Sequence, residues 1–393
     1  MKEKLKKTIG VIFGNNDRVP VAKRGFMTQT IPTEAREVHS VTTGASGVGK
    51  SHLLMHRIMT AIERDEGVGV IDPKGDLYTY LLKAVYDKIS NGEQLADKLI
   101  LFDPTASRLP GFNPIEVKSS DPEEHYQTAL SILQVFKDIW GETFYGPRLA
   151  DILKNSILLL QEYGEAMTMI PRLLTDEDYR KYMVSSLQNR QTKEFWEYRF
   201  ENLPEREKRT WVESTLNKVS EFLSPNVRNI VGQRKSSIDL RDIIDNGKIL
   251  LVNLPKGRLG QNSYLLGALL VARLNRAAIS RCSLPEEKRR LFHLFIDEAQ
   301  SICTENTRTI LSESRSSGLS IHVASQDFAG FSRDLKSSLL ANCKLIFSFR
   351  GSRDDADVLG KILSCAIGEE VKFQLREDFL GQPESNPIYR SIT

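Results

Sequence analysis

Cysteine is scarce: there are four in 393 residues, Cys282, Cys303, Cys343 and Cys365, and no CxxC pair among them. That spacing indicates neither a zinc knuckle nor a disulfide framework and fits a reducing cytoplasm. Long apolar runs are also missing. The nearest, Tyr264 to Ala272, stops at Arg273, well short of the roughly 18 residues that read as a bilayer span. The start, MKEKLKK followed by IGVIF, has the basic-then-apolar order of a signal peptide, but Asn15, Asn16 and Asp17 close the run early without a cleavage pattern. Nor is one sign of charge in excess, since Lys+Arg 54 against Asp+Glu 51 leaves a net +3. A polyanionic partner therefore has to be met by a local basic patch. With hydrophobic residues at 40% and charged residues at 27%, the composition excludes a disordered chain, a collagen-like chain and a coiled-coil rod. The length suits about two domains, or one core with a large insertion.

What is present begins with β-branched Val38 to Thr43 running into glycine, which predicts a buried strand entering a turn. His52 to Arg64 then has Leu53, Leu54, Ile58, Met59 and Ile62 at helical spacing. Gly67 to Ile71 and Lys98 to Phe102 read as further strands, and the alternation implies a parallel sheet with right-handed crossovers. From Pro122 helical periodicity takes over, through Tyr126–Ile139, Arg148–Gln161, Glu177–Leu187, Glu194–Phe200 and Trp211–Leu223, with Pro171, Pro204 and Pro225 as helix boundaries. Strand patterns return at Ile249–Leu254, Leu291–Ile296, Ile321–Ser325 and Lys344–Phe349. The simplest organisation is an α/β core, residues 1–121 and 237–393, interrupted by an all-helical insertion over residues 122–236.

Gly44-Ala45-Ser46-Gly47-Val48-Gly49-Lys50-Ser51, with His52 directly after, matches the phosphate loop G-x-x-x-x-G-K-[ST]. A strand before it and a helix after it let backbone N–H groups and the helix N-terminus converge on phosphate oxygens. Lys50 would neutralise the β- and γ-phosphates of ATP, and the Ser51 hydroxyl would ligate Mg²⁺. The apolar strand ending in Asp297-Glu298 supplies the other half of such a site, with Asp297 in the Mg²⁺ shell and Glu298 orienting and activating the attacking water. A glutamate beside the metal aspartate suggests the additional-strand division of these ATPases, in which another strand separates the phosphate-loop strand from the acidic one. It argues against a GTPase, and the guanine-reading N-K-x-D is absent, because Asn217-Lys218 is followed by Val219-Ser220. Gln326, at the end of the Ile321–Ser325 strand, could sense the γ-phosphate or simply cap its strand. Lys256-Gly257-Arg258 suits a loop touching DNA phosphates and equally suits an ordinary basic turn.

The chain resembles the HerA/FtsK superfamily of ring-forming ATPases and, within it, the TraG/TraD-like coupling proteins of conjugative type IV secretion. The resemblance rests on Arg36-Glu37-Val38-His39, Val70-Ile71-Asp72-Pro73-Lys74-Gly75-Asp76, Phe112-Asn113-Pro114, Gly146-Pro147-Arg148 and Lys248 to Pro255. It continues through Ile296 to Gln300, Ser312-Glu313-Ser314-Arg315, Ala324-Ser325-Gln326, Phe349-Arg350 and Asp354-Asp355-Ala356. It implies a RecA-like phosphate-loop core with an all-α insertion, and a homohexamer that hydrolyses ATP between subunits and moves DNA through its channel. The family's trans-acting arginine maps to Arg315, with Arg350 and Arg353 as runners-up. It also implies relaxase or secretion-channel partners; the rival readings are the same motor beside a nuclease or defence effector, and a nucleotide-gated platform with little turnover. The short lead-in before the phosphate loop has neither the transmembrane helices of coupling proteins nor room for the complete β-barrel of HerA proteins, so the expectation is a cytoplasmic protein, at most peripheral to a membrane complex.

Three other groupings are weaker. His52 and His56 share a helical face but lack the glutamate of a zincin between them. Trp196, Tyr198 and Phe200 read as core more than as a base-stacking platform. Glu205 to Arg209 mixes signs as a solvated face does.

Overall fold

The computed structural model describes residues 18–24, 27–32, 38–141, 145–220 and 224–366; the basic start of the chain and Arg36-Glu37 lie outside them. β1 (Arg18–Arg24) and β2 (Met27–Pro32) pair as an antiparallel hairpin, an element that the sequence does not announce. The remaining strands are β3 (Ser40–Thr43), β4 (Gly67–Asp72), β5 (Leu99–Phe102), β6 (Ile249–Asn253), β7 (Phe292–Ile296), β8 (Leu319–Ser325) and β9 (Leu345–Ser348). They form one sheet in the order β5-β6-β4-β7-β8-β3-β9, and every neighbouring pair is parallel. β8 separates the phosphate-loop strand β3 from the acidic strand β7, which is the additional-strand arrangement expected from Glu298.

Parallel strands covered on both faces read as near-continuous apolar runs, and β4, β7 and β8 are buried along their whole length. The pleat sorts their side chains. Val68 and Val70 of β4, Ile249 and Leu251 of β6 and Phe295 of β7 face the helices Lys50–Glu63 and Asp76–Ser90. Ile71, Leu250, Val252, Leu294 and Ile296 face the other way, where Leu266, Leu269 and Leu270 of the helix Asn262–Ile279 cover them. The longest apolar run of the sequence is thus a buried core helix, and none of the helices in the described residues is long and apolar enough to cross a membrane.

Between β5 and β6 the described residues contain helices and no strand, the longest being Pro122–Trp140, Pro147–Glu162 and Glu205–Val219. Local chemistry sets their starts: Asp121, Asp176, Asn189 and Asp239 accept N-terminal amide hydrogens, and Pro122, Pro147 and Pro225 stand where a missing N–H costs nothing. The last long helix begins at Glu205, earlier than the periodicity from Trp211 predicts, because Pro204 caps it and Glu205 and Glu207 favour its first turn. Trp196 and Phe200 are buried, whereas Tyr198 is 65% exposed. Phe112-Asn113 joins this helical stretch to the sheet. The Phe112 N–H donates to the Ile230 carbonyl (3.0 Å), and the Asn113 amide donates to the Glu165 and Arg234 carbonyls (3.2 and 3.0 Å). Phe136, Leu153, Trp196 and Phe200 share one buried cluster with Leu250 and Ile296, so the helices and the sheet have a continuous core.

Candidate active site

β3 delivers the phosphate loop to the carboxyl edge of the sheet. Gly44, Gly47 and Gly49 have φ of 153°, 79° and 105°, and the last opens the helix Lys50–Glu63. Gly44 has a packing reason as well, because a Cβ there would stand 2.6 Å from the Cβ of Phe349. Neighbouring strands hold the loop in place: the Gly44 N–H donates to the Gln326 carbonyl (3.2 Å) and the Ala45 N–H to the Arg350 carbonyl (2.9 Å). Ser46, Gly47, Ser51 and His52 are exposed, Ala45 and Val48 are half-buried, and Lys50 is buried. The Lys50 ammonium donates to the carbonyls of Gly44 (2.5 Å) and Ala45 (2.9 Å). Burial pulls its pKa below the lysine range, against the opposing charges of Glu298 and Asp297.

Two strands away, β7 ends in the acidic pair. The Asp297 N–H continues the ladder to the Ile71 carbonyl (3.0 Å), and its Oδ1 accepts the Glu298 N–H (2.9 Å). Burial pushes the Asp297 carboxyl up to about 6, with Asp72 and Glu298 adding repulsion. Glu298 has φ 45°, a left-handed backbone that is uncommon for a side chain of this size and turns its carboxylate out of the strand direction. Its Oε1 is ion-paired with Lys74 and its Oε2 accepts from the Gln300 amide (2.6 Å). Burial alone would raise its pKa, but the Lys74 and Gln300 hydrogen bonds carry it below the usual carboxylate range. Gln326 lies between the two halves: its carbonyl holds Gly44, and its side-chain amide lies 3.3 and 3.4 Å from the Glu298 oxygens.

The structure therefore gathers the loop Gly44–Ser51, Asp297, Glu298 and Gln326 at adjacent strand tips. Arg315 lies in the one-turn helix Ser314–Ser317, but its side chain is outside the described residues. Arg350 offers its carbonyl to the loop and exposes its side chain, as does Arg353. Lys256 and Arg258 are exposed on a helical turn, Lys256–Leu259, that follows β6, and the Lys256 ammonium lies 5.0 Å from the Tyr264 ring centroid. Cys303 and Cys343 are buried, with burial pushing both thiols up to about 12, so neither is a thiolate. His52 and His56 are both exposed, and the described residues contain no group of three His, Cys, Asp or Glu side chains placed to hold a metal.

Residues 291–378 match the family model described as the TraM recognition site of TraD and TraG. That stretch of the chain is TraG/TraD-like in sequence. The unbound conjugative coupling protein TrwBdeltaN70, described as bacterial, superposes with a TM-score of 0.63 at 22% identity, over 90% of this chain and 76% of that one. Plasmid coupling protein TrwB in complex with the non-hydrolysable ATP analogue ADPNP gives 0.63 at 22% identity, over 90% and 78%. VirB4 of Thermoanaerobacter pseudethanolicus gives 0.56 at 14% identity, over 91% and 90%. At such identities the likeness is one of fold. No curated protein matches the sequence. The TraG/TraD-like segment carries Asp297, Glu298, Arg315 and Gln326, while the phosphate loop and Lys74 come from outside it. Lys74 is the site residue that sequence reasoning passes over: it belongs to the Asp72-Pro73-Lys74-Gly75 run that supports the resemblance, yet nothing in that run shows that β4 ends beside β7.

Proposed function

We propose that the chain is an ATPase that couples Mg²⁺-dependent ATP hydrolysis to DNA movement, as the coupling proteins of conjugative type IV secretion are expected to do. The observation that carries this reading is the meeting of the phosphate loop, Glu298 and Gln326 through Gln326, which bonds the first with its carbonyl and approaches the second with its amide. The loop amides and Lys50 bind the phosphates, Lys50 exchanging the Gly44 and Ala45 carbonyls for phosphate oxygens. Ser51 and Asp297 fit Mg²⁺: both are hard oxygen donors, and a carboxyl pushed to about 6 by burial is one whose ionised form a cation relieves. When bound, Mg²⁺ supplies positive charge to the phosphate oxygens and orients them. Glu298 accepts a hydrogen bond and then a proton from the attacking water, Gln326 orients that water, and Arg315 reaches a neighbouring subunit's site in a homohexamer. Lys256 and Arg258 contact DNA phosphates. In this reading the motor works in the cytoplasm beside a membrane secretion complex and its relaxase partner.

The test is ATP turnover with and without DNA. Oligonucleotides should stimulate hydrolysis and bind with a steep salt dependence; the Lys256→Gln, Arg258→Gln double variant should bind them more weakly with a flatter salt slope, at unchanged ATP affinity. Hydrolysis indifferent to every single- and double-stranded oligonucleotide would contradict the coupling to DNA.

A further inference from the structure

We propose that Lys74 is a positioning residue that restrains the Glu298 carboxylate, and that a polyanion bound at the neighbouring Lys256–Arg258 turn releases it. The inference rests on the hydrolytic reading above and adds to it how the DNA contact would reach the reacting carboxylate. Both oxygens of Glu298 are engaged by its own chain, Oε1 by the Lys74 ammonium and Oε2 by Gln300 at 2.6 Å. A carboxylate that must take a proton from water has to turn at least one oxygen to that water. The two ion-pair partners differ in freedom, the Lys74 side chain being 46% exposed and that of Glu298 10% exposed. Lysine is therefore the member able to leave. An ammonium on a flexible four-carbon stem exchanges anionic partners readily, whereas Glu298 is fixed by its left-handed backbone at the end of β7.

The backbone around Lys74 is fixed, while its ion-paired head group remains nearly half exposed. Its N–H donates to Asp72 Oδ1 (2.8 Å), Asp72 Oδ2 accepts the Tyr78 N–H (2.9 Å), and Gly75 turns the chain at φ 90°. The same segment carries the basic turn: the Leu254 N–H donates to the Asp72 carbonyl (2.9 Å) and the Lys256 N–H to the Pro73 carbonyl (3.0 Å). One hydrogen bond thus separates the peptide of Lys256 from the residue preceding Lys74. Around Gly257, between the two basic side chains, an added Cβ would meet nothing within 4 Å, so a phosphate backbone has room to lie on the turn. In this proposal, phosphates seated on Lys256 and Arg258 bring negative charge to the Asp72–Gly75 loop, which carries the half-exposed Lys74. They compete with Glu298 for that ammonium and leave the carboxylate to the water.

Lys74→Ala and Lys74→Arg test the restraint. Steady-state ATP turnover is measured with and without a 30-nucleotide single strand and the matching duplex, ATP affinity with a fluorescent analogue, and oligonucleotide affinity by anisotropy. Lys74→Ala should raise DNA-free turnover about fivefold or more toward the stimulated rate and bring the stimulation ratio near one, with ATP affinity within about twofold. Lys74→Arg should keep most of the restraint. A second readout needs no turnover: by thermal unfolding without nucleotide, Lys74→Ala and Glu298→Gln should be non-additive, and the coupling should vanish when the oligonucleotide is bound. If Lys74→Ala slows hydrolysis as Glu298→Gln does and keeps the stimulation ratio, Lys74 supports the carboxylate and the proposal is overturned. Additive unfolding shifts overturn it too. A wild-type protein without ATP turnover would instead remove the hydrolytic reading beneath it.

Discussion

Three strands, β3, β8 and β7, carry two polar constellations of opposite character. Within the sheet, Arg57 donates to Ser40 Oγ (2.8 Å) and His322 Nδ1 (3.1 Å), the Ser40 hydroxyl lies 2.9 Å from that same nitrogen, and His322 Nε2 lies 2.9 Å from His293 Nδ1. His293 Nε2 then reaches Glu66 at 3.0 Å. Because a guanidinium only donates, His322 Nδ1 must accept. Both rings are then Nε2–H tautomers, and each step of the chain from Arg57 to Glu66 joins a donor to an acceptor. Arg57 also lies over the rings of Phe295 and Phe347, with its carbon 5.6 and 5.0 Å from their centroids. At the strand tips the same sheet holds Glu298 at φ 45°, Asp297 raised to about 6 and Lys50 below its usual range. The Arg57–Glu66 chain pairs its polar groups across three strands; the tips keep groups in states that cost stability, and those groups belong to the proposed chemistry.

Breaking the interior chain should have the largest effect, and on stability. Arg57→Met removes two buried hydrogen-bond donors and the contacts over two rings, and should lower unfolding free energy by about 3 kcal/mol in urea, with ATP affinity of the folded protein little changed. If that variant loses nucleotide binding while keeping its stability, the separation of the two regions fails.

Disturbing the tips should act the other way round. Gly44→Ala places a methyl against Phe349 and should weaken ATP binding by at least tenfold in a calorimetric titration, at a stability cost smaller than that of Arg57→Met. The smallest effect expected is a gain. Asp297 has a folded pKa raised from 3.8 to about 6, so the folded protein holds a proton that the unfolded chain has lost in that interval. Stability accordingly falls as pH rises from about 4 to about 6 and stays reduced above it. Asp297→Asn removes the cost and should stabilise the metal-free protein at pH 7.5 by 1 to 2 kcal/mol, out of the roughly 3 that such a shift represents, with little gain at pH 4. Equal Tm changes at the two pH values would show that ionisation is not the cause.

Local pattern made much of this legible. The phosphate loop, the strand ending in Asp297-Glu298 and the parallel sheet follow from apolar runs meeting glycine or acid, and Glu298 beside Asp297 anticipated β8 between β3 and β7. The first-turn carboxylates and prolines of the helical stretch are visible too. Contacts made by sheet order alone are not. Lys74 and Glu298 lie 224 residues apart, and Arg57 and His322 lie 265 apart. The hairpin β1–β2 escapes as well, since Arg18–Arg24 and Met27–Pro32 hold too few apolar residues for a strand period to stand out. Lys256–Leu259, expected as a turn, is a short helix because Pro255 caps it and Gly260 ends it.

In the proposed mechanism the carboxylate at the end of β7 acts on ATP held by the loop at the end of β3. The direct test compares wild type, Lys50→Ala and Glu298→Gln, with ATP affinity and phosphate release measured on the same preparations. Lys50→Ala should lose both. Glu298→Gln should bind ATP as wild type does and release phosphate about 10²-fold more slowly or less, since it keeps the shape and loses the base. Phosphate release at the wild-type rate from Glu298→Gln would remove Glu298 from the hydrolytic step.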